Sequence, residues 1–303
     1  MVDVLCFGNL QLDILCRTIT ELPPPGGLRM IDAVDFSLSG NGGSLAMALA
    51  RLGVSVDLAG HSGADVIGDQ FRSMLSTEGV GIDKLIRHPT AGTGTSVIAL
   101  APTGERSIFF VNGANEAFHL EDVPESWLQG LRMVAVMSVF VLPHFTGEAI
   151  AHLFQRSHTL GGQTVLNICW DREAHGLNFL APALAQSDYF VLNYDEGRQL
   201  TGYGALNDIF NRLMEFTSGT IILTLGAEGC CFRTESGMER IPAVPVHATD
   251  TTGAGDSFVA GFIAGLIRRL PLRDCVQLGC QVAAYAVTGT GAYHRIPRYK
   301  EES

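Results

Sequence analysis

Short runs of nearly unbroken apolar residues recur along the chain at 2–7, 56–59, 133–141, 164–168, 189–192 and 221–225. A strand that is apolar at every position has to be covered on both faces, the condition found inside a parallel sheet flanked by helices. Between the runs, apolar residues fall at helical spacing, predicting helices over 44–52, 68–78, 147–160, 196–201 and 205–217. Strand and helix in alternation predict a doubly wound α/β fold with a mainly parallel sheet.

Two stretches break this rhythm. Residues 15–38 hold Pro23-Pro24-Pro25-Gly26-Gly27 between short extended pieces, and residues 93–111 read as a β-hairpin turning at PTGE. Together they predict a small antiparallel sheet, 14–38 with 92–113, projecting as a lid from a core of 1–13, 39–91 and 114–303. A lid implies an exposed sheet face, and a homodimer formed through the lid is the expected way of covering it.

Charge and cysteine usage narrow the function classes. A formal net charge of −11 disfavours nucleic acid or an anionic membrane as partner. The only lysines are Lys84 and Lys300, and neither follows a glycine, so a G-x-x-x-x-G-K-[ST] phosphate loop is excluded. Seven cysteines with no C-x-x-C, set mostly in apolar runs, read as buried free thiols of a reducing cytoplasm. No H-E-x-x-H or paired Cys/His spacing suggests zinc. The start of the chain lacks the basic segment of a signal peptide, and the longest uncharged apolar stretch, 133–143, is too short for a bilayer. A cytoplasmic protein is therefore expected. The first strand runs into Gly8-Asn9-Leu10-Gln11 and not G-x-G-x-x-G, which argues against a dinucleotide-dependent oxidoreductase.

The most chemically informative string is Asp250-Thr251-Thr252-Gly253-Ala254-Gly255-Asp256-Ser257-Phe258, followed by a long apolar helical segment. Free amides at a helix N-terminus hold an anion without any lysine, and Gly253 and Gly255 let the backbone approach it. Asp256 falls in the first turn, where a carboxylate can take a proton from an attacking hydroxyl while the amides of Gly253, Ala254 and Gly255 stabilise a transferred phosphoryl group.

This string resembles the second signature of the PfkB-type, ribokinase-like carbohydrate kinases, and the resemblance extends over nearly the whole chain. It implies an ATP- and Mg2+-dependent kinase acting on a hydroxyl of a small sugar, with Asp256 as base. In GNLQLDIL, Asp13 takes the place of the family's sugar-binding acid. SGNGGSLAMALARLG resembles the first signature, with Gly42 and Gly43 offering amides to the sugar. Ser44 stands where the family commonly has Asn, a departure that bears on sugar specificity. Asp69, further on, reads as a helix cap. Asn193 and Glu196 match the family's N-x-x-E, which implies a water-mediated contact of Glu196 with magnesium. Thr224, Gly226 and Gly229 lie in a string resembling the nucleotide loop, and the segment 283–292, with Ala283, resembles the adenine edge. That last loop, with Asp250 and Thr252, implies a monovalent cation site for K+. In the hairpin, Arg106 is a candidate lid cation and Asn112 a candidate sugar donor. NICWDREAH differs from the D-x-N-x-R form of hexonate-type members. A nucleoside kinase of the same fold is the alternative to a sugar kinase, and a non-catalytic sugar-binding protein is the reading from another class.

Overall fold

The computed structural model describes residues 2–103, 105–234, 237–289 and 292–299. The chain begins with β1 (Val4–Phe7), passes into β2 (Gln11–Arg17) and β3 (Ala33–Ser39), and returns through α1 (Asn41–Arg51) to β4 (Val56–Ser62). There follow α2 (Val66–Glu78), β5 (Leu85–Arg87), β6 (Gly94–Leu100), β7 (Arg106–Val111), β8 (Met133–Val136), α3 (Gly147–Thr159), β9 (Gln163–Asn167) and α4 (Gly176–Ala185). The last third comprises β10 (Tyr189–Asn193), α5 (Tyr194–Thr201), α6 (Leu206–Met214), β11 (Thr220–Thr224), β12 (Cys230–Thr234), β13 (Gly237–Ile241), α7 (Ala254–Ile267) and α8 (Leu272–Ala286).

Nine strands form one sheet in the order β13-β12-β11-β10-β9-β8-β1-β4-β5. All neighbours from β11 to β5 are parallel, whereas β12 and β13 extend the sheet antiparallel. The two faces carry separate cores. Val4 and Cys6 of β1 point into a cluster shared with α1, α2, α7 and α8, and Leu5 and Phe7 point into one shared with α3, α4 and α6. This is why the strands read as continuous apolar runs: successive side chains alternate between two dry interfaces.

A second, four-stranded sheet has the order β3-β2-β6-β7, and it is mixed and not wholly antiparallel as expected, because β2 and β6 run parallel. It includes β2 from Gln11 onward, so Gln11 to Asp13, expected in the core, belong to the small sheet. Other boundaries also shift. The helix expected from Ser44 begins at Asn41, which draws Gly42 and Gly43 into its first turn. The strand expected over 133–141 stops at Val136, and the chain turns at Ser138, held at φ 57°. Asp65, not Asp69, caps α2 by accepting from the Gly68 amide at 2.8 Å, while Asp69 pairs with Arg87. All seven cysteines are free, with Cys16 and Cys169 half-buried and the others in the core. Gly104 of the expected hairpin turn and Thr290–Gly291 of the expected cation loop lie outside the described residues.

Candidate active site

The site is built where parallel strands end and helices begin, on the carboxyl edge of the large sheet. Gly253 caps α7 at φ 72°, a left-handed conformation in which a side chain would be strained. Just before it, the Thr252 amide donates to Asp250 Oδ1 at 2.9 Å. The Ala254 amide donates to the Thr251 carbonyl at 3.2 Å. Ala254 is thus turned into its own loop, which departs from the expectation of three free amides at this point. Among the described residues, the amides left without an acceptor here are those of Gly253, Gly255 and Asp256.

Asp256 lies in this first turn, 8% exposed, and its Oδ1 accepts from Asn41 Nδ2 at 2.8 Å. Burial pushes its carboxyl up to about 7; the Asn41 bond opposes this rise, and the negative charge of Glu196 adds to it. Glu196 and Asn193 form a reciprocal cap at the junction of β10 and α5. Asn193 Oδ1 accepts from the Glu196 amide at 2.9 Å, and Glu196 Oε2 accepts from the Asn193 amide at 2.8 Å. Burial raises Glu196 to about 7 as well, against the lowering effect of the Asn193 amide. One acid oxygen of the pair is therefore committed to the helix cap.

Against the start of α7 lies a cavity of about 410 Å3, and Thr224, Gly226, Gly229, Gly255, Phe258 and Ala283 are among its lining residues. The expected nucleotide-loop residues and Ala283 thus come together around one space with the glycine-rich helix start. Its walls are mostly apolar, as suits a flat heteroaromatic ring, while the amides at one end suit its phosphates. Asp250 and Thr252 stand beside it, where the Val287 carbonyl accepts from the amides of Thr249 at 2.7 Å and Asp250 at 3.3 Å. A second cavity, about 570 Å3, opens over Asn193 and Glu196 between Trp170 and Tyr203.

A further acid, the half-buried Asp13, hangs from the small sheet. Ser39 Oγ donates to Asp13 Oδ2 at 2.5 Å, and burial raises the Asp13 carboxyl against hydrogen bonds from Ser39 and Ser96. Two residues beyond Ser39 is Asn41, the partner of Asp256. A short continuous path therefore joins the two carboxylates, Asp13 through Ser39 and Asn41 to Asp256. Gly42 and Gly43 serve packing here: a Cβ on Gly42 would come within 2.7 Å of Gly8, and one on Gly43 within 2.8 Å of Leu10 Cδ2. Their amides still lack acceptors among the described residues. Ser44 is buried, its amide donating to the Gly40 carbonyl at 2.8 Å.

The two hairpin candidates separate. Asn112, just past the end of β7, has a buried Oδ1 with no partner among the described residues. Arg106 begins the same strand at its other end, opposite Leu100, and is exposed. It stands at the tip of the sheet and away from Asp13. Arg172, in the loop after β9, reaches the small sheet, its guanidinium 5.8 Å from the centre of the Phe110 ring. Phe110 is paired with Ser96, and Ser96 with Asp13, so the three share one face. Sequence reasoning missed Asn41, Arg172 and Phe110. Asn41 had a signal, a polar residue between the glycines of SGNGG, but the other two had none.

The profile described as pfkB family carbohydrate kinase matches residues 1–298. The chain belongs to this family. As a pfkB-family enzyme it is a phosphotransferase with an alcohol acceptor. Its relatives include a ribokinase of Schizosaccharomyces pombe, 25% identical over 99% of this chain and 96% of that one. A nucleoside kinase of Methanothermobacter thermautotrophicus is 26% identical over 97% of this chain and 92% of that one. Among solved structures, Arabidopsis thaliana ribokinase complexed with ribose and ATP has a TM-score of 0.84 at 21% identity, covering 98% of this chain and 96% of that one. A putative ribokinase II of E. coli in complex with ATP and Mg2+ has a TM-score of 0.85 at 20% identity, with the same coverage, 98% and 96%. These likenesses carry the ribokinase fold, with its large mainly parallel sheet and smaller separate sheet. Among the described residues, no helix of this pfkB-family chain is long and apolar enough to cross a membrane.

Proposed function

We propose that this enzyme transfers the γ-phosphoryl group of Mg·ATP to a hydroxyl, usually a primary one, of a small sugar held between Asp13 and Asp256. The observation that carries this reading is that Ser39 and Asn41, two positions apart where β3 passes into α1, hydrogen-bond Asp13 and Asp256 respectively. It sets a hydroxyl-binding carboxylate beside a buried acid at a free helix N-terminus. Asp256 takes the proton of the attacking hydroxyl as its oxygen bonds to phosphorus and the bond to the ADP oxygen breaks. The amides of Gly253 and Gly255 hold the charge that develops on the phosphoryl oxygens. Asp13 accepts hydrogen bonds from neighbouring sugar hydroxyls and fixes which one faces Asp256.

The residues fit magnesium and nucleotide. Glu196 keeps one carboxylate oxygen outside the helix cap. Among the described residues, no cluster of three or more His, Cys, Asp or Glu could hold a metal ion. Magnesium here would take phosphate and water as its main ligands, with Glu196 reaching it through water, and would supply charge neutralisation on the phosphates. The small sheet, working as a lid, would exclude water as a competing acceptor. The Phe110 ring on the Asp13 face favours a second reading, a nucleoside whose base stacks there, and the nucleoside kinase relative supports it. ADP release screened over pentoses, hexoses, sugar phosphates and nucleosides, in K+ and in Na+, tests all of this. We expect turnover with a pentose or its nucleoside and a higher rate in K+. Silence across the panel would leave a sugar-binding protein as the better account.

The opposite face of the lid is apolar. Phe36 is 70% exposed, Phe109 58% and Val111 55%, and register puts Phe36 and Phe109 on one face with Ile14 and Val97. A second copy covering this face makes a homodimer. Phe36→Asp with Phe109→Asp should convert a dimer to a monomer in sedimentation; a wild-type monomer at working concentration would remove the idea.

A further inference from the structure

We infer that Asn41 is the positioning residue for the base: it occupies Asp256 Oδ1 and leaves Oδ2 as the oxygen that receives the substrate proton. The inference rests on the reading of Asp256 as base. It arises because the starts of α1 and α7, 215 positions apart for Asn41 and Asp256, converge on one carboxylate. A free carboxylate at a helix start can rotate and offer either oxygen, or turn back to cap its own helix amides. Nδ2 of Asn41 at 2.8 Å from Oδ1 removes that freedom and fixes the plane of the acid.

Asn41 is itself held. Its amide donates to Asn9 Oδ1 at 3.1 Å, and Asn9 is only 4% exposed at the end of β1. The next residue, Gly42, meets Gly8 so closely that a Cβ on either would lie 2.7 Å from the other's backbone. The helix start is thereby seated on the end of β1, and the side chain of Asn41 projects from a fixed point. The same bond favours the ionised acid, opposing the effect of burial. An amide suits this task better than a cation: it donates to the carboxylate without adding a charge that would compete for the phosphoryl group.

The test uses the full chain, Mg·ATP and whichever acceptor the wild-type protein phosphorylates in the screen above. If there is none, the kinase reading fails before this one is reached. Asn41→Ala should lower kcat by roughly 10²-fold with Mg·ATP affinity by calorimetry nearly unchanged. In an Asp256→Asn background the same change should cost less than about threefold, because the group it positions has gone. Asn41→Asp, almost the same shape, sets a second carboxylate against Asp256 and should be at least as damaging while melting as a folded protein. It serves also if the alanine variant folds poorly. Asn41→Gln should recover part of the lost kcat. Equal losses from Asn41→Ala in both backgrounds, or full activity in Asn41→Asp, would overturn the inference.

Discussion

Asp256→Asn should remove roughly 10³-fold or more of phosphoryl transfer and, at pH 8, make the protein more stable. Both effects come from one fact, that the carboxyl is buried at the start of α7 and pushed up to about 7 from an ordinary 3.8. In the proposed role of base it works only when ionised, so wild-type kcat/KM should fall about tenfold per pH unit below about 7. For stability the direction is opposite. Between about 3.8 and 7 the folded protein holds a proton that the unfolded chain has released. Stability contributed by this group is therefore complete below the unfolded value and is lost as pH rises through the folded one. Glu196, raised from 4.5 to about 7, adds to the same decline. Asparagine cannot ionise, yet keeps an oxygen for Asn41 Nδ2, so the variant escapes its share of the loss. Its thermal midpoint should exceed wild type by several degrees at pH 8 and converge with it near pH 4. Full turnover in the variant would dismiss Asp256 as base. A midpoint difference independent of pH would show that the carboxylate is not strained by burial.

How far such a site can be read from residues alone depends on whether its parts are local. β1, β4 and β8 to β11 are legible because burial on both faces removes most polar positions from the run. β12 and β13, CCFRT and GMERI, carry Arg233, Glu239 and Arg240 on the antiparallel edge, and a search for unbroken apolar runs passes over them. α4 is apolar almost throughout and holds Pro182, so it shows neither helical periodicity nor the usual helix composition. The glycine-rich start of α7 is legible because helix start, glycines and acid fall within a few consecutive residues. Asn41 is not, since its meaning lies in a partner on another helix. Arg172 and Phe110 are harder still: the hairpin around Phe110 is legible, but nothing local pairs it with Arg172, and only the small sheet's placement beside the core brings them together. Arg106 lies in the hairpin as its sequence indicates, and register sets it at the strand end opposite Leu100.

Gly255→Leu should separate stability from catalysis in the same turn. An ideal Cβ at Gly255 meets no atom within 4 Å, and the residue lines the cavity of about 410 Å3, so a side chain there projects into open space that the reading assigns to phosphate. The backbone of Gly255 is ordinary helix, unlike that of Gly253 at φ 72°. Leucine in place of glycine within a helix is favourable by up to about 0.8 kcal/mol. The variant should therefore fold and melt at or slightly above the wild-type temperature. Its kcat/KM for ATP should nonetheless drop by roughly 10²- to 10³-fold, because the isobutyl group would stand between the Gly253 and Gly255 amides and the anion they hold. Calorimetry should show the loss in nucleotide affinity, while acceptor binding, proposed to depend on Asp13, stays near wild type. Normal ATP affinity in a stable Gly255→Leu protein would mean that the phosphates lie elsewhere. Glycine at this position costs the helix stability that leucine would restore, and the proposed phosphate site accounts for that cost by the space it needs above the Gly255 amide.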